Sequence, residues 1–229
     1  IISIETRCPS SSARIQPAWD DDHTRPLLAN SGAVMPRIDQ HLGFTRFEAD
    51  QYYKQALEAY KKGDFDTAID NMKNAIEALP RKAEYYAARG LMYLDDGVTQ
   101  SALDDFDQAL KIFPHEMLAH YGRGIVAFKD KHWDEALQHF TSAYYVDQQR
   151  PETLYYLALT YYHKRDFPSA ANLMKLANDR FEALNDKRKS DSGKWLRELA
   201  KMADKTAELL KGTSERAFGS GNSLASGES

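Results

Sequence analysis

Cysteine is nearly absent: Cys8 stands alone among 229 residues. That excludes an intramolecular disulfide and any cysteine-built metal cluster, and it fits a reducing compartment. An excess of positive charge is also missing. Thirty Lys and Arg against 34 Asp and Glu leave a formal charge of -4, without the basic field that polynucleotides or anionic membrane surfaces attract. Nucleic-acid binding is therefore not expected. Long apolar runs are lacking too. Nothing approaches the roughly 20 apolar residues that span a bilayer, and the opening Ile1 to Ile4 is soon interrupted by polar residues. Neither membrane insertion nor a secretory leader is expected, and Thr6 and Arg7 before Cys8 do not suit a lipidation site. The expected location is cytoplasmic.

Residues 1–34 carry no helical or strand period, three prolines and the run Ser10 to Ser12, the composition of a disordered arm. The cluster Asp20-Asp21-Asp22-His23 reads as solvated charge there, since no folded frame holds it in ligand geometry.

What the sequence does contain is a repeat. A shift of 34 residues aligns four blocks without a gap: 49–82, 83–116, 117–150 and 151–184. The eighth residue of each is small (Ala56, Gly90, Gly124, Ala158), and the twentieth and twenty-seventh are alanine (Ala68, Ala102, Ala136, Ala170; Ala75, Ala109, Ala143, Ala177). The twenty-fourth is large and apolar (Met72, Phe106, Phe140, Met174), a knob for the space the small residues leave between close helices. Gly63 and Gly97 suit left-handed C-caps of a first helix. Asp64, Asp66, Asp166 and Pro168 suit the start of a second, and Pro80 and Pro114 its end. Thr45-Arg46-Phe47-Glu48 has capping-box spacing, which places the start of the array there.

This 34-residue helix-turn-helix pattern resembles the tetratricopeptide repeat over residues 49–184. Gln148 and Glu182 stand where that family has proline, Thr99 replaces the aromatic found at Phe65, Trp133 and Phe167, and His120 occupies a normally aromatic position. A looser turn is expected in the second repeat. The resemblance implies an all-α, right-handed α-solenoid. The expected organisation is an extended or disordered arm over 1–44, four repeats over 45–184, a linker and C-terminal capping helix over 185–211, and a disordered Gly/Ser-rich tail over 212–229. Trp195, Leu199, Met202, Thr206 and Leu209 recur at helical spacing and supply the one apolar stripe that a cap needs.

In the family, positions 5, 9 and 12 of the first helix face a concave groove. Here they read Tyr53, Ala87, Tyr121, Tyr155; Leu57, Leu91, Ile125, Leu159; and Tyr60, Leu94, Phe128, Tyr162. Spacing alone puts each trio on one helical face; the resemblance says that this face is the groove. The expected binding residues are these, without Ala87. They are uncharged, and position 9 is branched aliphatic throughout, so an apolar groove for a helical or extended partner segment is expected. The family's lysine, arginine and asparagine clamp for chaperone C-terminal carboxylates would fall on Tyr53, Leu57, Ala88, Leu118 and Gly122, none of which carries a cationic or amide side chain. Moving the frame one repeat on gives Ala87, Leu91, Gly122, Glu152 and Tyr156, equally unsuited.

The repeats occupy nearly all the ordered sequence, which leaves no room for a catalytic frame. An enzyme, a cofactor and a metal are accordingly not expected, and His115, His132, His139 and His163 read as surface or packing residues. The functional expectation is a protein-interaction scaffold, adaptor or assembly chaperone. The alternative is a homo-oligomer or filament in which the arm or terminal helix of one copy fills the groove of the next. A further variant folds the arm, with Ile38, Leu42 and Phe44, into its own groove.

Overall fold

The computed structural model describes the backbone of residues 38–219 and the side chains of residues 45–211. Cys8, the Asp20–His23 cluster, the side chains of Ile38, Leu42 and Phe44, and residues 220–229 lie outside the described residues. Among the described residues there are nine helices and no strand. The first helices of the repeats are α1 (Ile38–Lys61), α3 (Ala83–Asp95), α5 (Met117–Lys129) and α7 (Pro151–His163). The second helices are α2 (Phe65–Ala78), α4 (Thr99–Ile112), α6 (Trp133–Val146) and α8 (Phe167–Ala183), and α9 (Lys189–Gly219) closes the array. Each first helix packs on its second helix, and each second helix on the following first helix. The result is a helical solenoid.

The hairpin turn recurs every 34 residues because one backbone conformation recurs. Gly63 (φ 78°), Gly97 (φ 89°), Lys131 (φ 62°) and Arg165 (φ 66°) are all left-handed. The next amide then bonds back over the helix end, as in Val98 N to Tyr93 O at 2.8 Å and His132 N to Ala127 O at 2.8 Å. Repeats one and two put glycine where it is free of strain; repeats three and four force a side chain into the same geometry. The second helices of repeats one and four are capped as anticipated, with Asp64 accepting from Thr67 N and Asp166 from Ser169 N. The turn before Thr99 is no looser than the others. α4 begins in the same register as α2, because Gly97 and the Val98 return bond set the turn without an aromatic.

The alanines of both columns and the four knobs are fully buried. Knob size follows the small residue it meets: Met72 and Met174 belong to repeats with Ala56 and Ala158, whereas Phe106 and Phe140 belong to repeats with Gly90 and Gly124. A Cβ on Gly90 would lie 2.6 Å from Phe106 Cε1, and one on Gly124 2.7 Å from Phe140 Cδ1. The phenyl rings therefore occupy the volume that alanine's methyl takes in the outer repeats.

The helices outrun the expected boundaries at both ends of the array. α1 starts at Ile38, so Thr45 to Glu48 lies inside a helix and not at its start; the same spacing also occurs along any helical face. α9 starts at Lys189 and continues to Gly219, beyond Lys211. Once a helix is nucleated each further residue adds a bond at little cost, and Glu215, Arg216 and Ala217 are not breakers.

α9 buries Leu199 and half-buries Trp195, Leu196, Met202 and Thr206, while Leu209 stays exposed. Ser192 Oγ donates to Asn178 Oδ1 of α8 at 3.0 Å, within the buried interface. The opposite face carries exposed Arg197, Glu198, Lys201, Asp204, Lys205 and Glu208, which keeps the open end of the stack in water. Leu199→Ala is expected to destabilise the chain by about 2–4 kcal/mol through the cavity it leaves. Hydrogen exchange should then speed up first in α8 and α9; uniform acceleration over all repeats would show that α9 is not a separable end.

Candidate protein-binding face

The three expected columns have different fates. At position 12 the rings close the hairpin of their own repeat: Tyr60 meets Phe65 at 5.9 Å, Phe128 meets Trp133 at 5.3 Å and Tyr162 meets Phe167 at 6.0 Å between centroids. Tyr60 also bonds Asp95 through its hydroxyl. Leu94, in the repeat where Thr99 stands in place of the ring, is 4% exposed. At position 9 only Leu57 and Leu91 keep partial exposure; Ile125 and Leu159 are each 8% exposed, covered by the chain's own core. The apolar column is thus half consumed by packing.

Position 5 behaves otherwise. Tyr53 stacks on Tyr85 at 5.1 Å and its hydroxyl donates to Glu84 Oε1 at 3.1 Å. Tyr155 Oη donates to Asp191 Oδ2 at 2.7 Å. Each tyrosine thereby ties one first helix to an acid at the start of the next. Burial, and then Glu84, push the Tyr53 hydroxyl up to about 12, so it stays a donor. Tyr155 is raised by burial and by Asp191.

Tyr121 breaks the series. The acid equivalent to Glu84 is Glu152, but Arg188 Nη2 holds Glu152 Oε1 at 2.7 Å and Arg150 Nε lies 3.6 Å from Oε2. Arg150 also sits over the Tyr121 ring at 5.2 Å. The Tyr121 hydroxyl consequently makes no hydrogen bond among the described residues, and burial raises its pKa well above the ordinary tyrosine value, keeping the proton on. It borders a cavity of about 170 Å³ walled by Tyr155, Tyr156 and Phe181, with Glu152, Arg188 and Asp191 at its polar side. Arg188 is itself fixed on Asp186 at 2.8 Å and over the Phe181 ring at 4.7 Å.

The charged residues here were not anticipated by sequence reasoning, which took the columns as uncharged. A signal existed across repeats. Where position 5 is tyrosine, position 2 of the next repeat is acidic (Tyr53 with Glu84, Tyr121 with Glu152); where it is Ala87, the partner position is Leu118. Arg188 and Asp191 carry no such signal, because they lie after the last repeat.

Among the described residues no helix is long and apolar enough to cross a membrane. Nor is any group of three or more His, Cys, Asp or Glu among the described residues placed to hold a metal ion.

The tetratricopeptide repeat family matches residues 53–116 and 93–152. No curated protein matches the sequence. Among solved structures, that of Pseudomonas aeruginosa pilF is similar at a TM-score of 0.61 and 15% identity, covering 71% of this chain and 72% of that one. The Arabidopsis OM64 TPR domain aligns at 0.48 and 21% identity, over 52% of this chain and 98% of that one. The first TPR of Spaghetti (RPAP3), bound to an HSP90 peptide, aligns at 0.48 and 19%, over 50% and 94%.

Proposed function

We propose that this chain, a tetratricopeptide repeat protein, is a scaffold that holds an extended or helical segment of a partner protein along the face of its first helices. The observation that carries this reading is the cavity beside Tyr121: an aromatic-walled recess with a free hydroxyl donor, in a series whose other tyrosine hydroxyls are bonded. A partner's backbone carbonyl would accept from this hydroxyl while an aromatic or large aliphatic side chain fills the recess. Leu57 and Leu91 offer the further apolar contact toward the N-terminal repeats. Glu152 and Arg188 would set the polarity of what lies alongside.

The test places a photo-crosslinking residue at position 121 and, as a control, at exposed Lys73 of α2, in protein expressed in its source cell. Partners should crosslink from 121 and not from 73. Tyr121→Ala should weaken capture of the same partners by about 2 kcal/mol, roughly thirtyfold, and Leu91→Glu should reduce it further without changing the thermal melt. Crosslinks only from 73, or undiminished capture by the folded variants, would move recognition off this face. Crosslinks from 121 only to another copy of the chain would replace the scaffold reading with self-assembly.

A further inference from the structure

The third repeat contains a histidine pair that the binding face does not use. His120 and His139 come from α5 and α6, and their Nδ1 atoms lie 3.3 Å apart. Both rings are partly buried, and burial lowers both pKa values, with Arg123 adding to the effect at His139. The imidazoles are therefore neutral at ordinary pH, and each has one nitrogen with a lone pair.

The repeat itself identifies which nitrogen that is on His120. In repeat two the same position is Tyr86, whose hydroxyl donates to Pro80 O at 3.1 Å; His120 Nε2 contacts the equivalent carbonyl, Pro114 O, at 3.0 Å. A carbonyl only accepts, so the proton is on Nε2 and the lone pair is on Nδ1. On His139 the Nε2 atom lies 3.8 Å from the Glu135 carboxylate, beyond hydrogen-bond range; with the proton on that side, its Nδ1 also carries the lone pair. Two Nδ1 lone pairs then face one another across 3.3 Å. Two bonds of about 2.0–2.1 Å meeting at the tetrahedral angle place their nitrogens roughly 3.3–3.4 Å apart. The Pro114 carbonyl behind the His120 ring is the usual outer support of a metal-bound histidine.

We propose that His120 and His139 form a two-histidine site for a divalent transition-metal ion of the zinc class, held through the two Nδ1 atoms. With no third protein ligand placed nearby among the described residues, the remaining positions are open to water or an incoming ligand. Access is provided by a cavity of about 540 Å³ that His120 lines together with Pro114, His115, Ser142 and Tyr145. Arg123, the cation beside the pair, opposes a metal ion but is itself countered by carboxylates. Arg123 is ion-paired to Asp107 and lies 3.9 Å from Glu135, so one positive group is set against two carboxylates. Repeat two fills the same positions differently. There Arg89 is gripped by Asp105, at the position His139 takes in repeat three; with that acceptor replaced, Arg123 Nε is buried without a partner and the pocket is left to the imidazoles.

The test uses the full chain stripped of metal and titrated with Zn²⁺ and with Co²⁺. One ion per chain is expected, with tetrahedral cobalt absorption bands. His120→Tyr and His139→Asn copy residues that other repeats hold at those positions, Tyr86 and Asn71, and should fold. Each should weaken zinc binding by more than about a hundredfold, since even the loss of an outer partner costs 10–100-fold. His163→Gln should bind as wild type. Imidazole ¹⁵N spectra of the wild-type chain give an answer that needs no variant: zinc should shift Nδ1 of two histidines and leave their Nε2 protonated. No uptake, several weak equivalents indifferent to either variant, or zinc shifts on other histidines would overturn the proposal and leave His120 and His139 as a hydrogen-bonded pair.

Discussion

Gly90→Ala is expected to destabilise the array by roughly 1–3 kcal/mol, although alanine is intrinsically about 1 kcal/mol better than glycine inside a helix. The added carbon would stand 2.6 Å from Phe106 Cε1 and 3.1 Å from Ala102 O. The ring cannot retreat, because its far edge already lies against Gly122 of α5, whose own Cβ would fall inside the ring's envelope. The second change decides the cause. Gly90→Ala with Phe106→Met reproduces the pairing of Ala56 with Met72 in repeat one, where Ala88 stands at the position of Gly122. It should recover most of the loss, a non-additivity that contact between the two sites requires. At about 2–4 °C per kcal/mol for a chain of this size, thermal melts of the three proteins resolve the effect. Gly193→Ala, which would meet only Asn178 Oδ1 at 3.4 Å, should cost far less. If the double variant melts no higher than Gly90→Ala, the Phe106 ring is not what excludes the methyl.

That ring also marks how far the sequence could be read. Small residues, alanine columns and knobs recur at fixed intervals, so the solenoid and the helix hairpins are legible from a 34-residue shift. Each signal is local to one repeat. Gly122 is invisible by that route, since it serves a knob in the preceding repeat and its own column follows no size pattern: Lys54, Ala88 and Tyr156 occupy that position elsewhere. The exposure of the groove columns escapes the repeat for the same reason. Columns 9 and 12 look alike in all four repeats, yet burial depends on what the next helix brings: Ile125 and Leu159 are covered while Leu57 and Leu91 are not. The charged wall of the Tyr121 recess comes partly from Arg188 and Asp191, outside the period altogether. Helix ends were the weakest inference, because a nucleated helix passes through weak stop signals.

The other large effect concerns a buried charge. Asp105→Leu is expected to cost about 3–5 kcal/mol, whereas Arg89→Leu combined with Asp105→Leu should be neutral or stabilising by about 1–4 kcal/mol. Arg89 Nε and Nη2 grip Asp105 at 2.8 and 2.7 Å, and both side chains are largely buried, 17% and 8% exposed. Removing the carboxylate strands a guanidinium between α3 and α4, where water cannot solvate it. Removing both charges removes the desolvation cost together with the attraction, and the fourth repeat already shows the outcome: Leu157 and Leu173 occupy the same two positions and join the core. The rings of Tyr86 and Tyr93 lie 5.8 and 5.9 Å from the Arg89 guanidinium; they would pack on leucine but could not replace a carboxylate. Urea denaturation of both single variants and the double gives the coupling energy, and raising the salt concentration should barely change it, since a buried pair is poorly screened. A cheap Asp105→Leu would mean that Arg89 swings to another acceptor. A costly double variant would mean that the pair contributes more than its hydrophobic replacement, and repeat four would then owe its leucines to the helices around it and not to an interchangeable solution of the same packing problem.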